Sequence, residues 1–449
     1  MLKGRFAVAA AIISLVAAAL LATVIFAETE IQIARPLDGS TVRETVNILV
    51  PVSSVPDRGF ISCMIDGWFR CAAAAKSADG QSFVFRWDTK SRNPDPWVPK
   101  EAREPREGKH TITVQAYDGD GRKYGKPKQI TVYVSNRADK FMPAGGLKLR
   151  YNHKVGHVSK YEFKYTLDVK RIQGTGGMSA AVGEGVEGAG GVVKRSVEDV
   201  MPDNAALIRQ KLIGALESYQ RGQPTPVFGF PAKAVYQIED SMGRVTYALK
   251  STSAGEGVAI DLPNLPAQQV RIGDTWTQPD KVFRDAISGN SAAVVSTSTL
   301  EGLEWEGGQP CAKIKSTFSG AISIPFSRAL TRPLNVTGET IMYFGFEVGE
   351  VVYSVTRATA EGRVDQSAIG ALTQAAQQGA GVGPVPSPTF ALPMPAGPGG
   401  PPGMEDEERY APPPMYGAPA YGATPGAPAP GAGLVDVQLA INQTLKLVH

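Results

Sequence analysis

The chain has 449 residues, room for two or three domains, and its 43% apolar content is enough to build real hydrophobic cores. Its 46 Lys and Arg stand against 43 Asp and Glu, a formal charge of +3, and no basic cluster interleaves with aromatics, so nucleic acid is not an expected partner. Three cysteines leave one odd thiol after any pairing.

Lys3 and Arg5 precede an uncharged run from Phe6 to Ala27. Residues 1–27 therefore read as a signal peptide or an N-terminal membrane anchor. The rest of the chain is expected on the extracytoplasmic side: in the periplasm, at the cell surface or secreted. A signal core usually runs about 7–15 residues and about 20 span a bilayer, so the length suits an inner-membrane anchor. Ile25-Phe26-Ala27 offers a cleavage site with a small last residue but a bulky first one. Cleavage and retention, the latter with membrane contact, both stay open.

Residues 28–137 form a succession of short apolar runs separated by turn residues, the pattern of a β-sandwich of about seven strands. Glu30-Ile31-Gln32-Ile33 alternates, and Pro36-Leu37-Asp38-Gly39-Ser40-Thr41-Val42 turns the chain into Val46–Val52. Ser82–Trp87 alternates again. Gly108-Lys109-His110-Thr111-Ile112-Thr113-Val114-Gln115-Ala116-Tyr117-Asp118 then leads through a turn into Gln129–Val134. With the Pro-Leu-Asp-Gly-Ser-Thr-Val entry and the Ile65-Asp66-Gly67 tip, this stretch resembles bacterial immunoglobulin-like domains of surface proteins and secreted enzymes. That resemblance implies the sandwich fold. It is silent on ligand, since such modules serve as spacers, adhesion units and glycan binders alike.

Cys63 and Cys71 flank the Asp66-Gly67 tip. A two-residue loop would set Cys63 opposite Arg70 and leave Cys71 on the other face. A three-residue loop, Asp66 to Trp68, would pair Ile65 with Phe69 and Cys63 with Cys71. The oxidising compartment favours the second arrangement and a Cys63–Cys71 disulfide, with two buried thiols as the alternative. Trp97, in Asn93-Pro94-Asp95-Pro96-Trp97-Val98-Pro99, lies in a loop and is the aromatic best placed to meet a partner.

Residues 138–146 lose the strand pattern and read as a linker. Residues 147–376 are expected to form a larger antiparallel β domain. Tyr161–Val169, Ala234–Ile238, Arg244–Leu249 and the hairpin Met342–Val355 supply its clearest strands. Ala205, Ile208, Leu212, Leu216 and Tyr219 recur at helical spacing after Pro202-Asp203-Asn204, which predicts one helix near 203–221. Gly174–Gly191 reads as a Gly-rich insert. In its Gly273-Asp274-Thr275-Trp276 and Gly308-Gln309-Pro310-Cys311 elements the domain is similar to uncharacterised secreted bacterial β-proteins, a likeness that transfers no functional residue.

Residues 377–433 are rich in Pro, Gly and Ala and read as a disordered insert. Residues 434–449 alternate Val435, Val437, Leu439 and Ile441 with polar neighbours and are expected to return to the sheet as its final strand. The insert is then a loop without a core of its own. Deleting Pro401–Ala432 should leave the melting temperature within about 2 °C, because shortening a long loop changes closure entropy only slightly. A large fall in a thermal melt would refute this.

The expected fold is thus mainly β: an Ig-like sandwich, then an antiparallel β domain with one helix and a Pro/Gly-rich insert. No catalytic, cofactor or metal site is expected. Gly183-Glu184-Gly185-Val186-Glu187-Gly188 has dinucleotide-binding spacing, but no strand leads into it and no helix opens from it. His153 and His157 flank a turn without further ligands, and Cys311 has no histidine partner in sequence. Motif poverty favours a non-catalytic cell-envelope protein docked to an envelope component or another protein. The alternative is a lipid- or glycan-binding protein, or a carbohydrate-active enzyme, with an accessory sandwich.

Overall fold

The computed structural model describes residues 30–73, 75–173, 179–180, 186–220, 223–227, 233–249, 257–283, 291–324, 332–365 and 434–448. The expected export segment and the whole Pro-rich insert, residues 377–433, lie outside these residues. Among the described residues no helix is long and apolar enough to cross a membrane.

Seven strands make the N-terminal unit: β1 (Ser40–Val42), β2 (Thr45–Pro51), β3 (Phe60–Ile65), β4 (Trp68–Ala73), β5 (Ser82–Asp88), β6 (Gly108–Tyr117) and β7 (Lys123–Val134). They form a sheet in the order β1-β7-β6-β3-β4 facing a two-stranded sheet β2-β5. Alternation decides the packing: Val46, Ile48 and Val50 of β2 and Phe83 and Trp87 of β5 bury against Ile112 and Val114 of β6 and Ile130 and Val132 of β7. A four-residue helix, α1 (Lys100–Arg103), sits in the loop between β5 and β6.

The second unit is one antiparallel sheet. Its strands are β8 (Val158–Gln173), β9 (Ser179–Ala180), β10 (Val186–Val200), β11 (Ala206–Gln220), β12 (Gln223–Val227), β13 (Val235–Glu239), β14 (Val245–Leu249), β15 (Thr275–Val282), β16 (Ala292–Glu306), β17 (Gln309–Ile322), β18 (Leu334–Gly345), β19 (Glu350–Asp365) and β20 (Leu434–Val448). The main order is β14-β13-β11-β10-β8-β20-β19-β18-β17-β16-β15, so two meanders meet where β20 lies between β8 and β19. The sheet curls around an irregular strap, residues 257–270. Gln210, fully buried on β11, clamps the strap by donating Nε2 to the Ile260 carbonyl at 3.0 Å and accepting the Ile260 N–H on Oε1 at 2.9 Å. On the opposite side Gln278 of β15 donates to the Asn264 carbonyl at 2.7 Å, and the Tyr151 hydroxyl donates to the Pro263 carbonyl at 2.8 Å. The strap's Val258, Ile260, Leu262 and Leu265 join Tyr161, Phe163, Leu300, Ile314 and Phe344 in one apolar cluster. A second cluster, with Phe283, Phe318, Val336, Ala360, Leu439 and Ile441, fills the other end.

Two expectations are corrected here. Residues 206–220 are strand β11, not a helix. Ile208, Leu212 and Leu216 are four apart, a step that is about one helical turn and also two full strand periods, so they suit either element. Gln210, between Ile208 and Leu212, belongs to the same inward row, and beyond Leu212 a bulge around the exposed Gly214 (φ +76°) bends the strand. The Gly-rich insert also ends sooner than expected, because 186–191 opens β10. A Cβ on Gly188 would come within 2.2 Å of the Tyr165 carbonyl oxygen, so glycine there permits close approach to β8.

Residues 138–146 are a docked connection. The Ala138 N–H donates to the Leu303 carbonyl at 2.7 Å, the Leu303 N–H donates to Asp139 Oδ1 at 3.1 Å, and Phe141 meets Trp305 edge-on at 5.7 Å. The tip of the β16–β17 hairpin is clasped by the sandwich. The Arg43 guanidinium stacks 3.8 Å above the Trp305 ring, the Trp305 backbone N–H donates to the Asn136 carbonyl at 2.8 Å, and Lys90 pairs with Glu306 at 2.5 Å.

Candidate functional site

The residues singled out in the sequence lie apart from one another. Ile65 pairs with Trp68 across a two-residue Asp66-Gly67 loop with φ of +53° and +79°, yet Cys63 still stands opposite Cys71, because a bulge at Arg70 restores the register. The three-residue loop is therefore corrected. Both cysteines are thiols here, and burial pushes the Cys63 thiol up to about 12. A small-molecule disulfide such as oxidised glutathione should link them by exchange, beginning at the less buried Cys71. Closing this loop should add about 2–3 kcal/mol to sandwich stability. Loss of two hydrogens in an intact-mass spectrum and a raised denaturation midpoint check this, and two separate glutathione adducts would count against it.

His110 secures the same tip. Its Nδ1 lies 2.7 Å from Asp66 Oδ2 and its Nε2 lies 3.0 Å from the Arg106 carbonyl. Only the doubly protonated ring donates to both. The hydrogen bond to Asp66 raises the His110 pKa above 6.5 against the opposing effect of burial and the Arg106 charge. Because the folded value is the higher one, this stabilisation is complete below about pH 6 and fades as pH rises through the folded pKa. Asp66, itself lowered, contributes above about pH 4. The sandwich should lose about 1 kcal/mol between pH 6 and 8.5, and Asp66→Asn should flatten that slope in urea titrations.

Trp97 is 88% exposed in its loop, and its backbone N–H donates to Asp95 Oδ1 at 2.9 Å. Cys311 is buried with Tyr343 and Val352, and burial pushes its thiol up to about 12, so it presents no thiolate. His157 touches Glu350 at 2.7 Å and Ser159 at 3.3 Å, both through Nε2. A relay needs the acid and the nucleophile on different ring nitrogens, so this cluster is not a triad. Among the described residues no group of three or more His, Cys, Asp or Glu is placed to hold a metal.

What the sequence did not reveal is a polar belt between the two apolar clusters. Cross-strand register carries it over seven adjacent strands: Trp276 opposes Ser298, Ser298 opposes Ser316, Ser316 opposes Thr340, Thr340 opposes Thr356, Thr356 opposes Gln443 and Gln443 opposes Tyr165. Hydroxyls pair along it, Ser298 with Ser316 at 2.7 Å and Thr340 with Thr356 at 2.8 Å. The Trp276 indole N–H is buried without a partner.

Beside the belt lies a cavity of about 50 Å³, lined on one side by Asp261 and Pro263 of the strap and Asp280 of β15, and on the other by Thr340, Ser354, Thr356 and Gln443. Burial pushes the Asp280 carboxyl up to about 6, and the Asp261 charge adds to this. Hydrogen bonds from the Lys281 and Asn264 backbones and from Ser296 pull the other way. Phe283, which also lines the cavity, is fully buried yet holds φ at +56°. A bulky residue held there costs about 1–3 kcal/mol and persists only where packing overdetermines it, here against Phe318 at 5.7 Å.

Open depressions lie elsewhere among the described residues. A groove of about 650 Å³ crosses the outer face of the sheet, where Thr297, Thr317, Glu339, Arg357 and Asn442 stand in register. A cleft of about 460 Å³ between sandwich and sheet is lined by Lys90, Arg106, Glu107, Asp139, Glu304 and Lys313 among others. Its charges are largely matched: Lys313 pairs with Glu304 at 3.0 Å and Lys90 with Glu306. No protein-family model matches this chain, and no curated protein matches it.

Proposed function

We propose that this is an exported, non-catalytic protein of the cell envelope, in which the immunoglobulin-like sandwich is a spacer, adhesion or docking module for the β-rich domain. The observation that carries this reading is the packed interior of the curled sheet. Two apolar clusters and the strap occupy it, and the cavity lined by Asp261 and Asp280, about 50 Å³, is an order of magnitude smaller than the roughly 300–1,000 Å³ of ordinary ligand sites. The clasp around Trp305 supports the same reading, because it ties the sandwich to the sheet. The partner is then an envelope component or another protein, met at exposed loops such as that of Trp97.

The test is to incubate the full chain with isolated cell envelopes. Co-sedimentation without release of soluble sugars or peptides is expected. Progressive release of such fragments would overturn the non-catalytic reading and favour a carbohydrate-active enzyme.

The outer groove favours a second reading, glycan binding. It is long, open and lined by hydroxyls with an acid, a guanidinium and an amide, donors and acceptors that suit a polysaccharide more than a lipid. Retention on immobilised envelope glycan, weakened by Arg357→Ala with an unchanged melting temperature, is what this reading requires.

A further inference from the structure

We propose that the outer groove and the cleft between sandwich and sheet are two ends of one track, and that its occupant is a polysaccharide bearing acid groups. This rests on the glycan-binding reading of the groove and names its ligand class. The two depressions share strands and a face. On β17 the groove is lined by Thr317 and the cleft by Lys313, and on β18 they are lined by Glu339 and Tyr343. Each pair is four residues apart, so at about 3.4 Å per residue the depressions lie about 14 Å apart on the same outward face. One row separates them, in which Lys315 opposes Ile341 and Ile341 opposes Val355. Ile341, Val355 and Tyr353 are half-buried, and the Tyr353 ring lies 6.3 Å from that of Tyr343 with the planes 31° apart. Lys90 of the sandwich covers Tyr343, its ammonium 4.6 Å from the ring centre, and so closes the track at the cleft. The track thus has an apolar, part-aromatic floor between polar ends. Sugar rings suit it, because they lay C–H faces on such a floor and turn hydroxyl rims toward side chains such as Thr297, Thr317 and Asn442.

The unpaired charge on this track is positive. Glu339, the acid of the groove, is held by Lys315 at 3.1 Å, and Lys313 is held by Glu304 at 3.0 Å. Arg357, opposite Glu339 and Asn442, and Lys446, opposite Tyr353, are both exposed and form no ion pair with a described residue. Asn442 and Lys446 are four residues apart on β20, which sets one free cation toward each end of the track, again about 14 Å apart along the strands. A guanidinium fork takes an acid group through two parallel bonds, so Arg357 is the natural first contact. An acidic peptide fits less well. β17 to β20 lie in mid-sheet with their backbone groups engaged on both sides, and no edge is left here for a peptide strand to join.

The experiment titrates the full chain by calorimetry with polygalacturonate octamers, with dextran as the uncharged control and polyglutamate as the acid polymer without sugar rings. Octamer binding is expected, at least tenfold tighter than that of either control. It should also be at least tenfold tighter than that of the dimer, which does not reach both ends. Arg357→Ala should weaken octamer binding at least tenfold with an unchanged melting temperature, and Tyr353→Ala at least fivefold. Lys211→Ala, an exposed change on the far meander, should leave binding as it is. Dextran bound as tightly as the octamer would overturn the acid-group proposal while the glycan reading stands, whereas no binding of any carbohydrate would overturn both. Undiminished binding by Arg357→Ala, polyglutamate bound as tightly as the octamer, or a dimer equal to the octamer would each overturn the proposal.

Discussion

Ending the chain after residue 433 is expected to leave the second domain unfolded. β20 is the keystone of the sheet, bonded to β19 from Tyr353↔Lys446 to Asp365↔Leu434 and to β8 from Asp436↔Gln173 to Val448↔Lys160. Val435, Val437, Leu439 and Ile441 enter one apolar cluster and Leu445 the other. At about 1.5–3 kcal/mol for each buried side chain, the loss of these five alone rivals the roughly 5–15 kcal/mol net stability of a typical domain. It also bares two long edges, β8 and β19. Circular dichroism of the truncated chain should show the sandwich transition alone. A synthetic peptide of residues 434–448, added during refolding, should restore the second transition by inserting between those edges. An unaltered second transition without the peptide would show that β20 is dispensable.

The next largest effect is expected at Glu239. Its carboxylate is fully buried on β13, where Oε1 accepts from Arg195 Nη2 at 2.6 Å and Oε2 from Gln237 Nε2 at 3.0 Å. Glu239→Ala strands the Arg195 guanidinium beneath Tyr151 and Tyr161 without a counter-ion, and removing one partner of a buried pair costs about 3–5 kcal/mol. The double change Arg195→Met with Glu239→Leu removes both charges and should cost clearly less than the single one. Urea unfolding of the three proteins, read on the second transition, measures the difference. A single variant within about 1 kcal/mol of wild type would mean that water or a rearranged side chain already serves Arg195.

The mainly β architecture was legible because strand period is short and repeated. Tyr161, Phe163, Tyr165, Leu167 and Val169 alternate so strictly that β8 can be read without a partner, and the same holds for Val435 to Ile441 in β20. β11 misled because its apolar residues fall on a spacing common to both periods, with the discriminating inward position between Ile208 and Leu212 held by Gln210. Gln210 looks like a solvent residue until the strap supplies the backbone groups it clamps. The candidate site was less legible still. Asp261, Asp280, Thr340, Ser354, Thr356 and Gln443 come from five separate segments, and nothing local marks any of them. A signal did exist: Ser296, Ser298, Ser316, Thr340, Ser354 and Thr356 interrupt inward rows that are otherwise apolar. It becomes readable only once register aligns the strands.

The adjacency of β8 and β20 also sets a timetable. β8 is the first long strand of its domain to be synthesised and β20 the last, yet each is the other's neighbour. At about 5–20 residues per second, the ribosome needs about 15–55 s between finishing one and finishing the other. By the end of that interval the two meanders are complete but unjoined, and the inner flank of each lacks its mate. Folding of the domain is therefore gated by the synthesis of β20, and so many distant pairings make closure slow even then. A nascent chain of this protein has to be kept from its neighbours until Leu434–Val448 emerges.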